Sequence, residues 1–166
     1  METTQLNLIE TSAKRGATRP ALISLIALYA ITTVHHMYGG LALDSPNRLL
    51  LPLLLLLPIA AALASLEWYR RSGRRVAARI YAGIALVLAV VLGLVHSAYS
   101  HIYKDVLFLV RGPADLYVLL NPDEHYPPDD VFFELTGVIE LGAAVAVAVT
   151  AITLLRAASR STSVSR

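Results

Sequence analysis

The stretch RIYAGIALVLAVVLGLVHSAYSH, Arg79–His101, decides the fold. Sixteen residues without a charged side chain separate Arg79 from His96. A helix of about 20 such residues, rising about 1.5 Å each, crosses the hydrocarbon of a bilayer. Three other stretches have the same character, so four spans are expected: Pro20 to Tyr38, Leu49 to Trp68, Ala77 to Tyr99 and Val131 to Leu155. Composition agrees. Of 166 residues, 56% are apolar and 16% charged, and none is cysteine. A soluble domain carries about 25% charged residues to cover its surface. The deficit excludes a disordered chain, a disulfide scaffold, a zinc ribbon and most soluble enzymes, and lipid contact replaces the missing charge.

The expected class is therefore all-α, an integral membrane four-helix bundle. Pro20 suits a first helical turn and Gly39-Gly40 a stop, while Pro52 and Pro58 predict a kink that a membrane helix tolerates. A cleaved signal peptide is the competing reading of the first span, because Lys14, Arg15 and Arg19 precede it; no A-x-A-like site follows, and two histidines close the run.

Charge predicts orientation. Eleven of the fourteen basic residues fall in the N-terminal tail, the connection after the second span and the C-terminal tail, leaving Arg48, Lys104 and Arg111 for the other side. By the positive-inside rule both termini are cytoplasmic, in a plasma (inner) membrane. The division is a cytoplasmic tail 1–19, a transmembrane domain 20–156 and a disordered cytoplasmic tail 157–166. A net charge of +2 is no case for nucleic acid. The partners expected are the lipid bilayer and a further protein or a second copy of the chain.

The long outer connection, Ser100 to Asp130, holds two apolar pieces, Val106 to Val110 and Leu116 to Leu120, on either side of Gly112-Pro113. Each is too short to span and reads as a short interfacial helix between helices 3 and 4. The polar run Asn121 to Asp130 reads as a turn-dense loop, whose His125, Asp129 and Asp130 would form a lid.

Ionisable groups in hydrocarbon tend to be functional and to face the bundle interior. Counted from the cytoplasmic anchors, His35, His36, His96 and Glu140 all lie roughly 24 to 26 Å up, on three different helices. Tyr29, Thr32, Thr33 and His36 make a polar stripe, whereas His35 continues the apolar side of Leu28 and Ile31. Ala85, Ala89, Gly93 and Ser97 form a small-residue stripe beside His96, and Ala144 and Ala148 share the face of Glu140; such stripes mark close helix contacts. His36, His96 and Glu140 are thus expected to be interior neighbours. His101 and Glu134 form a second tier about 8 to 9 Å further out, although His101 falls about 140° around an ideal helix from His96, which separates them unless the helix unwinds.

Two imidazoles and a carboxylate suit a transition metal ion (Fe, Cu, Zn or Mn) and leave positions open for water, dioxygen or substrate, with His101 and Glu134 as further ligands. No Glu-x-x-His or His-Glu-x-x-His signature is present. Four classes of function stand open: a metal-dependent enzyme or metal-handling protein with an outward-opening site, a haem-binding electron carrier, a proton-coupled carrier, and an accessory or assembly subunit without chemistry. Each residue also has a plain reading, as an interfacial His35-His36 pair, a packing His96 or a solvated acidic loop.

Overall fold

In a computed structural model, the structure describes the backbone of residues 2–42, 44–111 and 130–160, and side chains within 16–42, 44–110 and 130–160. All the described regular structure is helical. Helix α1 (Glu2–Ala42) is followed by α2 (Pro46–Ser72) and by α3 (Arg75–Leu88), which continues without a break into a π-helical segment (Ala89–Tyr103) and α4 (Lys104–Arg111); α5 (Val131–Arg160) is the last. Four helical stretches are long and apolar enough to cross a membrane: Gly16–Ala42, Pro46–Ser72, Arg75–Val110 and Val131–Arg160.

Several boundaries differ from expectation. Residues 2–19, expected as a tail, are helical, since nothing between Glu2 and Arg19 is a helix breaker stronger than Gly16. Gly39 and Gly40 do not stop α1 either. A side chain at Gly39 would run into the Phe133 ring, and one at Gly40 into Leu49, so these glycines serve close packing rather than termination. The third span does not end at Tyr99, and Val106 to Val110 is the end of the same rod rather than a separate interfacial helix, because no Gly or Pro intervenes before Gly112-Pro113. Helix α5 runs through 157–160. Leu116 to Leu120, His125, Asp129 and residues 161–166 lie outside the described residues.

Short links set the pairing. Gly73, at φ 67°, closes α2 in the left-handed conformation glycine allows, and its N–H donates to the Tyr69 carbonyl at 2.8 Å. Helices α1 and α5 run antiparallel along their length, with contacts from Ser24–Thr150 through Thr32–Glu140 and His35–Thr136 to Tyr38–Asp130. The third rod lies antiparallel to α5, from Arg75 at Ala158 to Ser97 at Glu140. Helix α2 packs on α1 and α3 and turns Leu53, Leu54 and Leu57 outward, the last 79% exposed, as a lipid-facing helix would. The expected small-residue stripe is buried: Ala85, Ala89, Gly93 and Ser97 all face inward, and a side chain at Gly93 would press on Ala144 at 2.7 Å.

Candidate metal centre

One end of the bundle gathers four imidazoles. α1 supplies His35 and His36, and the π-helical segment supplies His96 and His101. Ring centroids are 4.6 Å apart for His36–His96, 5.2 Å for His35–His36 and for His35–His96, 4.7 Å for His35–His101 and 5.5 Å for His96–His101. The equal depth counted along three helices does bring His36, His96 and Glu140 together, while Leu54 of α2 is exposed and contributes nothing.

Helix type explains His101. Hydrogen bonds closing five residues back rather than four bring residues five apart over one another, so His96 and His101 share a face that an α-helix would deny them. Ser97 reinforces the wider turn, its hydroxyl reaching the Leu92 carbonyl, five residues back, at 2.7 Å. Such turns are mostly single bulges at functional sites; here the segment runs for 15 residues. Across from His101, α5 has Gly137, where a side-chain carbon would collide with the imidazole. Only glycine lets the ring lie this close to the helix.

Acceptors from α5 surround the rings. Glu140, fully buried, takes the Thr32 hydroxyl on Oε1, and on Oε2 has the Ser97 hydroxyl at 3.1 Å and His96 Nδ1 at 3.0 Å. Glu134 Oε2 lies 2.5 Å from His101 Nδ1, and Thr136 Oγ1 lies 3.0 Å from His35 Nδ1. His35 Nε2, His101 Nε2 and both nitrogens of His36 are buried without a hydrogen-bond partner, and among the described residues no other buried side-chain N or O is in that state. Leaving a buried polar atom unsatisfied costs about 1–3 kcal/mol, so four at one point mark a site rather than a packing accident. Two overlapping sets of three could hold a metal ion, His36 with His96 and Glu140, and His35 with His96 and His101; within each, one ligand atom per residue lies within 4.8 Å of the others.

A cavity of about 200 Å³ adjoins the cluster, lined by His36, His96, His101, Ser100, Glu134, Phe133, Arg48 and Lys104. Arg48 stacks on Phe133, 4.9 Å from the ring centroid. The cavity is smaller than the roughly 300–1,000 Å³ usual for drug-sized ligands. Axial ligation by His36 and His96 would need ring centroids about 6 Å apart, given metal–nitrogen bonds of about 2.0 Å. Here their centroids stand 4.6 Å apart, so ligation of one haem iron by both would require the two rings to separate.

His35 is the main correction. The sequence sets it on the apolar side of α1, and that side, with Leu25 and Leu28, is the bundle interior: His35 is fully buried. In a membrane helix the apolar side need not be the lipid side, because lipid is as apolar as the core. Thr136 and Gly137 carried no signal as single residues, since their roles depend on facing His35 and His101 across helices. Asp130 is no lid residue; it accepts the Phe133 N–H at 3.0 Å and the Tyr38 hydroxyl at 2.8 Å, capping α5. His101 and Glu134 are paired, one within the cluster and the other at the cavity wall.

The chain matches no protein-family model, no curated protein and no solved structure.

Proposed function

We propose that this chain is a plasma-membrane protein that binds a transition metal ion (Fe, Cu, Zn or Mn) among His35, His36, His96, His101, Glu134 and Glu140, for redox or hydrolytic chemistry or for metal handling. The observation that carries the reading is the set of four buried, unpartnered imidazole nitrogens at one point, when every other buried side-chain N or O among the described residues has a partner. Neutral imidazoles beside carboxylates are the donor types that borderline divalent ions prefer. The adjoining cavity supplies room for water or a small substrate at the ion. In the proposed topology both termini are cytoplasmic and the cavity opens outward, following the basic residues.

Metal stoichiometry of the detergent-purified protein, after reconstitution with each ion separately, tests the reading. At least one tightly held ion per chain is expected, with loss in His96→Ala, the histidine common to both candidate sets. Wild-type protein that stays metal-free would favour an accessory subunit instead. The natural absence of cysteine makes orientation testable by labelling Ser72→Cys and Asp123→Cys, which should react from opposite sides.

A further inference from the structure

We infer that the ion is held by the Nε2 atoms of His35, His96 and His101, with Thr136, Glu140 and Glu134 fixing each ring through Nδ1, and with one coordination position facing the cavity. This assignment rests on the metal-binding reading and chooses between its two overlapping sets.

Proton bookkeeping makes the choice. The single Thr136 hydroxyl hydrogen is directed to the backbone carbonyls of Phe132 and Phe133, each 2.9 Å away. With that hydrogen on a carbonyl the oxygen is an acceptor, which assigns the hydrogen in the 3.0 Å contact with His35 to Nδ1. His35 Nε2 then carries a lone pair, and it is buried with nothing to accept from. The same logic holds for His101, whose Nδ1 donates to Glu134 at 2.5 Å while its Nε2 is buried and unpartnered. His96 donates through Nδ1 to Glu140 at 3.0 Å. Three imidazoles from two helices thus have the same tautomer, each fixed by a different acceptor on α5. A ligating histidine characteristically donates its other N–H to a carboxylate or another oxygen, which sets the ring and raises its basicity.

The rival set of His36, His96 and Glu140 lacks this support. Both Glu140 oxygens are already engaged, Oε1 by Thr32 and Oε2 by Ser97 and His96. His36 has no hydrogen bond at either nitrogen to hold its ring. As a cavity-lining group it is instead placed to meet whatever occupies the open position. Three neutral imidazoles and one open position suit a tetrahedral borderline ion; with bonds of about 2.0–2.1 Å the nitrogens would stand about 3.4 Å apart. One ring nitrogen from each of the three already lies within 4.8 Å of the others, so binding draws the rings inward by about 1 Å or less each.

The test uses the full chain in detergent, loaded with Co(II) or Cu(II). Wild type is expected to bind one ion per chain, with His35→Ala and His101→Ala losing it and His36→Ala keeping it. Glu140→Gln and Glu134→Gln should retain the ion with about 10- to 100-fold weaker affinity, the usual effect of losing a ring-orienting partner. Pulsed EPR of the Cu(II) wild type should count three imidazoles, which decides the matter even if a histidine variant does not fold. Azide should alter the Co(II) visible spectrum through the open position. Two imidazoles in the EPR, retention in His35→Ala with loss in His36→Ala, abolished binding in Glu140→Gln, or a Co(II) spectrum indifferent to azide would each overturn the assignment while leaving a metal protein. A metal-free wild type would remove both readings together.

Discussion

The third rod contains two regions built on opposite terms. In α3, Ala77, Ala78, Tyr81, Ala82 and Ala85 are buried almost without exception, and the one polar tip among them, the Tyr81 hydroxyl, donates to the Ala21 carbonyl at 2.7 Å. Ser24 and Thr150 pair at 2.8 Å in the same half of the bundle. Directly after Leu88 the chain becomes π-helical, and the interior beyond fills with imidazoles, four of whose nitrogens lack partners. Small residues bring the helices close in the first region, and that packing holds the bundle. The second region then carries unsatisfied groups that no isolated helix pair would tolerate. Stability and chemistry are segregated along one helix axis.

The most severe way to break this contrast is Glu140→Leu. It removes the shared acceptor of His96, Thr32 and Ser97 at once, and breaking a buried pair from one side costs roughly 3–5 kcal/mol. Unfolding in detergent should show a loss of that order together with impaired metal retention. Ala85→Leu, an overpacking change in the other half, should cost about 1–3 kcal/mol and leave metal content alone. Equal losses of metal in both variants would mean that the two regions are one cooperative unit.

A pair of glycines on α5 sharpens the comparison. Gly137→Ala places a methyl into the His101 ring, whereas Gly142→Ala meets nothing within 4 Å. The first should cost about 1–3 kcal/mol through overpacking and weaken metal binding. The second should be neutral or stabilising by up to about 1 kcal/mol, since alanine is the better helix former. Thermal unfolding and metal affinity of the two proteins, measured side by side, separate a ring-seating glycine from an ordinary one.

What the sequence revealed follows the same division. The four spans were legible because charge is excluded from them, and the level shared by His36, His96 and Glu140 was legible because helical rise is nearly constant. Facing was less so. Stripe analysis misassigned His35, since polarity in lipid does not tell inside from outside as it does in water. His101 needed a change of helical period that no residue between Ala89 and Tyr103 announces, and Gly137 acquires its meaning only from the ring opposite. Glycine reads as punctuation at Gly39-Gly40, while its use there is close approach to Phe133 and Leu49.

At the far end of the small-residue half, Arg75 donates to the carbonyls of Ala158 and Ser159, at 3.0 and 2.7 Å. These belong to the last turn of α5, where carbonyls have no partner within the helix and a cation is favoured. Arg75→Met should cost about 1 kcal/mol, screened in part because the end is exposed, with no effect on metal content. A change in metal affinity would show that α5 transmits strain from its last turn to Glu140.

The smallest effect is expected at Asp130, where the histidine half meets the start of α5. The Phe133 backbone N–H, the Tyr38 hydroxyl and the Phe132 N–H hold its carboxyl below the ordinary aspartate value. A depressed value means that ionised Asp130 stabilises the fold above the unfolded value of about 3.9, and that this contribution fades as pH falls through the lower, folded one. Asp130→Asn keeps an oxygen for the cap but loses the titration. The variant should therefore be slightly less stable than wild type at neutral pH, and the difference should begin to shrink near about pH 4 and vanish once the pH is below the lowered folded value. Thermal unfolding of the two proteins across that window checks it. A gap that persists in acid would mean that the geometry of the cap, rather than its charge, joins α5 to Tyr38 on α1.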